Sequence, residues 1–171
     1  MTSTAQRLIE SYGLERHPEG GYYRETHRAT QRVTRDESDL ELAFNRRSLS
    51  ASTAILYLLE KDDFSALHRI QSDEVWHFYA GDPLRVVTLK PSGEREDFML
   101  GANLDRGERF QACVPAARWF GAHLETNRGF CLVGCTVAPG FEFADFELGT
   151  RSKLLEMYPQ HAAIVQALTR R

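Results

Sequence analysis

The alternation of apolar and polar positions opens with a helical pattern and then changes texture. Leu8, Ile9 and Tyr12 fall on one side of a short helix that Thr4 can cap, and Gly13 stands where a left-handed terminator is expected. His17-Pro18-Glu19-Gly20-Gly21 breaks that pattern. Tyr22 to Arg28 then follows with period two, with Tyr22, Arg24, Thr26 and Arg28 on one face and Tyr23, Glu25 and His27 on the other. Gln31 to Arg47 is charged and poorly periodic apart from Leu40, Leu42 and Phe44, and reads as a long loop. From Ser52 onward the chain is a succession of short strands, 53–59, 66–70, 74–80, 84–89, 95–100, 109–114, 118–124 and 130–137, separated by turn-forming residues. Ser152 to Met157 and Pro159 to Leu168 return to helical spacing. Regularly spaced short strands flanked by helices predict a mainly β domain, an antiparallel sandwich or barrel with short N- and C-terminal helices.

Composition narrows the function classes. With 171 residues, 42% hydrophobic, the chain suffices for one domain with a core, and no composition break marks a second. The formal charge of −3 argues against a broad nucleic-acid surface, which needs a basic footprint, and leaves a small polar ligand open. The longest apolar run, Ala54 to Leu59, is strand-sized, so no membrane helix is expected. The N-terminus lacks the apolar core of a secretory signal, and a cytoplasmic location is the expectation. Three cysteines are an odd number for a disulfide framework; Cys131 and Cys135 share a strand face with Val133 and read as reduced core residues rather than zinc ligands.

The densest chemistry lies between Ser65 and Gly81, where two His, an Arg, a carboxylate and a Trp surround one tight turn. Strand phase puts Glu74, Trp76 and Phe78 on one face and Val75, His77 and Tyr79 on the other, so one histidine, His68, can join Glu74 across adjacent strands.

The spacing of His68, Glu74 and Gly81 resembles the first motif of the cupin superfamily, with Ile70 at its second His position and Asp62 at its leading Gly. Pro115-Ala116-Ala117-Arg118-Trp119-Phe120 resembles the second motif, with Phe120 at the His position. The whole chain, from about residue 6 to 150, is similar to the cupin-5 or DUF985 branch. The resemblance is carried by His17 to Glu25, Ser52 to Leu59, His68-Arg69, Asp73 to Phe78, Gly81 to Leu84, Val114 to Ala116 with Trp119, Gly134 to Phe141 and Asp145 to Leu148. It implies a double-stranded β-helix, a jelly-roll barrel that dimerises and has a ligand pocket at its mouth. That family is itself similar to sugar-nucleotide 3,5-epimerases, in which a barrel His removes a proton next to a carbonyl, and to metal-dependent oxygenases and isomerases.

A facial metal site takes two His and a carboxylate or three His, and Ile70 and Phe120 cannot coordinate, so no resident cofactor is expected; a divalent metal, if bound, would use His68 and Glu74. Without a metal, His68 can serve as acid or base with Glu74 as its partner. Arg24, Arg69 or a Tyr hydroxyl would hold the enolate oxygen. The expected substrate contacts are Tyr22, Arg24, Glu25, Tyr57, Arg69, Trp76, Trp119 and Phe141, the turn before Tyr22 delivering the first three, and Phe143 is a further candidate for an apolar wall. The expected function is binding of a small, sugar-like or sugar-nucleotide molecule, with metal-independent epimerase or isomerase chemistry at His68. A metal-dependent cupin enzyme and a non-catalytic binding module are the alternatives.

Overall fold

The computed structural model describes residues 3–34, 48–126 and 129–170. Most of the segment read as a long loop, including Leu40, Leu42, Phe44 and Arg46-Arg47, lies outside the described residues, as does Arg171. The chain begins with helix α1 (Thr4–Tyr12). Ser3, not Thr4, is its cap, accepting from the Gln6 N–H at 3.1 Å, and Gly13 closes it at φ 58°.

Two antiparallel sheets follow. The first is ordered β1 (Glu15–Arg16), β2 (Tyr22–Arg28), β5 (Thr53–Glu60), β12 (Phe130–Ala138), β7 (Asp73–Gly81) and β10 (Gln111–Val114). The second is ordered β13 (Glu147–Leu148), β6 (Phe64–Arg69), β11 (Trp119–Leu124), β8 (Leu84–Leu89) and β9 (Arg95–Leu100). A ribbon pairs β3 (Arg32–Thr34), inside the stretch expected to be a loop, with β4 (Ser48–Ser50), just after it. Apart from β1–β2 and β8–β9, neighbours in each sheet are distant in sequence, as in a jelly roll, and a contiguous core joins the two inner faces.

Period-two alternation explains which side chains enter that core. Tyr57 and Leu59 of β5, Trp76 of β7 and Cys131, Val133 and Cys135 of β12 point inward, against Val86, Phe98, Leu100, Phe120 and Ala122 from the second sheet. The alternate residues Leu58 and Leu132 point outward and are covered by Ala5 and Ile9 of α1. On the outer face of the second sheet, Leu67, Val87, Leu89 and Trp119 are covered by Leu154 and Tyr158 of and after α2 (Arg151–Met157), and by Val165 and Leu168 of and after α3 (Ala162–Ala167). The terminal helices therefore close the backs of the two sheets, leaving the space between them for a site. Among the described residues no helix is long and apolar enough to cross a membrane.

Candidate functional site

Two β-bulges determine which polar groups face the space between the sheets. Along β6 and β11, His68 pairs with Phe120 but Ser65 pairs with Ala122, so Ala66 and Leu67 stand opposite Gly121 alone. The extra residue lets both Ser65 and His68 approach the same group. The displaced backbone remains satisfied: Ala66 N–H donates to the Glu19 carbonyl at 2.9 Å, and Leu67 N–H to the Leu168 carbonyl at 2.8 Å. A Cβ on Gly121 would lie 2.7 Å from the Ser65 carbonyl oxygen, so the bulge requires glycine there. Gly121→Ala is expected to destabilise the fold by about 1–3 kcal/mol, the ordinary range for overpacking, measured by urea unfolding. An unchanged midpoint would contradict this account of the bulge.

The second bulge is in β2, where Glu25 pairs with Ile55 and His27 with the adjacent Ala54. It carries Arg28 onto the face of Tyr23 and Glu25, the face that strict alternation denied it.

Between these bulges lies a cavity of about 320 Å³. Its apolar wall comes from Ile55, Ile70, Val137, Phe141, Phe143 and Phe146, with Tyr23 and Tyr57; its polar wall comes chiefly from His17, Glu19, Glu25, Arg28, His68 and Glu74. Glu19 is the centre of the polar set. Its carboxyl accepts from Ser65 Oγ at 2.8 Å, and its Oε2 lies 3.1 Å from His68 Nε2 and 3.4 Å from His17 Nδ1. Its carbonyl also accepts from Arg170 Nη2, and the Tyr57 hydroxyl donates to the adjoining Gly20 carbonyl at 2.8 Å.

The hydrogen bonds assign the tautomers. His68 Nδ1 is 2.7 Å from the Ala66 carbonyl oxygen, which can only accept, so Nδ1 carries a proton. A neutral His68 then has its lone pair on Nε2, and the 3.1 Å contact with Glu19 needs one shared proton. Burial lowers His68 to about 4, which keeps the imidazole neutral, and raises Glu19, so the proton of this contact, when Glu19 holds it, belongs to the carboxyl. His17 Nδ1 accepts from the Glu19 N–H at 3.3 Å, and burial also lowers His17.

Glu74 lies on the inward face of β7, 7% exposed, and burial followed by the charge of Glu19 raises it to about 8. At the cavity's edge Arg28 donates to both Glu25 oxygens at 2.9 and 2.8 Å and to Glu142 at 3.1 Å. Phe143 lies over the His17 ring, centroids 5.9 Å apart.

A family profile described as the cupin superfamily (DUF985) matches residues 6–149. The chain belongs to this cupin family. This cupin is 29% identical over 148 residues to the uncharacterized protein YML079W of Saccharomyces cerevisiae, covering 84% of this chain and 74% of the yeast protein. It is also similar to two solved structures. Protein SO0799 from Shewanella oneidensis shares 39% identity at a TM-score of 0.86, over 99% of each chain. A hypothetical protein from Leishmania major shares 33% at 0.89, over 99% of this chain and 100% of that one.

Of the residues the sequence singled out in this cupin, the structure brings Glu25, Tyr57, His68, Glu74, Phe141 and Phe143 to the cavity. It does not pair His68 with Glu74; Glu19 occupies that position. Tyr22 and Arg24 face outward, Tyr22 under the Arg16 guanidinium and Arg24 donating to the Tyr12 carbonyl. Arg69 is bound to Glu147 at 2.6 Å and lies over the Trp119 ring, on the outer face covered by the C-terminal helices. Trp76 is inside the barrel but packs in its core against Tyr57 and Phe120 without lining the cavity. The residues missed are His17, Glu19, Tyr23, Arg28 and Phe146.

The donor set does not fit a resident metal. Ile70 lines the cavity and Phe120 lies 4.1 Å, ring to ring, from His68, placing hydrocarbon at both motif positions where a His would coordinate. Both His68 nitrogens are engaged by protein groups, and among the described residues no three His, Cys, Asp or Glu are arranged to hold a metal ion.

The buried groups also make stability depend on pH. Glu74, ordinarily near 4.5 and here about 8, keeps a proton that the unfolded chain releases, so its effect is a loss of stability as pH rises from 4.5 to 8. His68, ordinarily near 6.5 and here about 4, works in the opposite sense between 4 and 6.5. The two oppose each other up to pH 6.5, and only the Glu74 effect continues to 8. Urea unfolding is expected to show stability falling between pH 6.5 and 8 and the slope flattening in Glu74→Gln; an equal slope in that variant would contradict the assignment.

Proposed function

We propose that this cupin binds a small uncharged carbonyl compound in the cavity and moves a proton at the carbon beside the carbonyl, with Glu19 and His68 acting together as the base. The contact that carries this reading is the 3.1 Å approach of Glu19 Oε2 to His68 Nε2 at the cavity wall. Loss of its shared proton leaves a carboxylate beside a neutral imidazole, a base in surroundings poor in water. The raised Glu19 value brings that loss closer to neutral pH.

Size and charge support a ligand no larger than a monosaccharide. The volume of about 320 Å³ is at the low end of the roughly 300–1,000 Å³ usual for ligand cavities. The cation at the edge, Arg28, is already bound by Glu25 and Glu142, so a diphosphate would have to displace two carboxylates. These features favour a free carbonyl compound over a sugar nucleotide.

The test is deuterium uptake from D2O into dihydroxyacetone, glyceraldehyde and erythrulose, followed by proton NMR. Uptake catalysed by the protein and abolished in His68→Gln supports proton transfer. Binding of these compounds without uptake would make the barrel a binding module, and neither binding nor uptake would overturn the substrate class.

A further inference from the structure

The sequence placed Glu74 beside His68, yet the structure gives it a different set of neighbours. Glu74 pairs with Val137 of β12 and Val114 of β10, and its side chain lines the cavity on the inward face of β7. Cys135 lines the same cavity, and among the described residues no basic side chain forms an ion pair with Glu74. Glu19 and His68, by contrast, belong to the segment before β2 and to β6. The cavity thus holds two buried acid groups on different elements, one committed to a histidine and one facing apolar walls.

We propose that Glu74 is a catalytic acid of the same site, donating its carboxyl proton to the carbonyl oxygen of the bound substrate while Glu19 and His68 take the proton from the neighbouring carbon. This rests on the carbonyl reading above and supplies what that reading lacks, a group for the developing enolate oxygen, since Arg24 and Arg69 are turned away. Its burial and the charge of Glu19 keep Glu74 protonated at neutral pH, as the role requires.

The step balances without an added oxidant or reductant. The C–H bond beside the carbonyl breaks, its proton goes to the Glu19 and His68 pair, and its electron pair forms the C=C bond. The carbonyl π pair moves to oxygen, which forms an O–H bond with the proton leaving Glu74. In the return, the Glu74 carboxylate takes a hydroxyl proton from the enediol and the base returns a proton to carbon. Return to the original carbon gives exchange or epimerisation; return to the former carbonyl carbon gives isomerisation.

The experiment compares the wild type, Glu74→Gln and Glu19→Gln as full chains, by deuterium uptake into dihydroxyacetone across pH and by infrared spectroscopy of the protein without ligand. The expected wild-type profile falls above about pH 8. Glu74→Gln should lose that falling limb and about 100-fold in rate. The Glu74 component of the protonated-carboxyl band should be present at pH 7 and missing from Glu74→Gln. Wild-type rate and profile in Glu74→Gln, or no band assigned to Glu74 at pH 7, would overturn the proposal. Failure of the base reading looks different, with Glu19→Gln active while Glu74→Gln is impaired.

Discussion

Glu19→Gln is expected to lower deuterium uptake by about two to four orders of magnitude, the usual contribution of a positioned base, while the protein stays folded. The amide is nearly isosteric. It can still accept from Ser65 and donate to His68 Nε2, so the bulge contacts at 2.8 and 3.1 Å persist as hydrogen bonds without a transferable carboxyl proton. Its removal also relieves the charge that helps raise Glu74, so Glu74 should titrate lower in this variant. The checks are uptake kinetics beside a melting curve. A variant that keeps its rate would remove Glu19 from the chemistry, and one that loses both rate and fold would assign it to the scaffold.

Trp119→Ala should produce the largest loss of stability and no direct loss at the cavity. Trp119 is 1% exposed, packed among Leu67, Leu89, Leu154 and Tyr158, with Arg69 and Lys153 against its ring. Truncating a buried aromatic to alanine costs about 3–5 kcal/mol, so the midpoint of chemical unfolding should fall sharply. Ligand affinity under native conditions should remain within about twofold, because none of the residues of the outer cluster lines the cavity. A large affinity loss without loss of stability would return Trp119 to the binding site, where the sequence had placed it.

The regular part of the fold was legible because a half-buried strand has one simple period. The strands Tyr22–Arg28, Leu84–Leu89 and Arg95–Leu100 coincide with the alternating runs. The phase of β7 correctly sends Glu74 inward and His77 outward, where it meets Thr136 and Gln111. The same period misled wherever a bulge reset it. Alternation grouped Arg28 with Tyr22 and Arg24, and the register shift after Glu25 separates them. Glu19 lies in a turn, where no period operates, and its burial depends on a bulge in a strand 46 residues away. The turn did carry a cue: a carboxylate just before a Gly pair, with Gly20 at φ 116° and a Cβ there colliding with Arg170 and the Phe64 carbonyl. Trp119 was misplaced because β11 has two apolar faces, Phe120 and Ala122 toward the barrel and Trp119 toward helices that lie at the far end of the sequence.

The central claim is that His68 stays neutral at physiological pH, protonated on Nδ1, with its Nε2 lone pair turned to the Glu19 carboxyl. Nitrogen-15 NMR of the imidazole in the wild type and Glu19→Gln tests it most directly. The account predicts a neutral His68 with the proton fixed on Nδ1, titrating near 4 rather than 6.5, and an Nε2 signal that shifts in Glu19→Gln. A His68 protonated on Nε2 alone, or an Nε2 signal indifferent to Glu19→Gln, would contradict it.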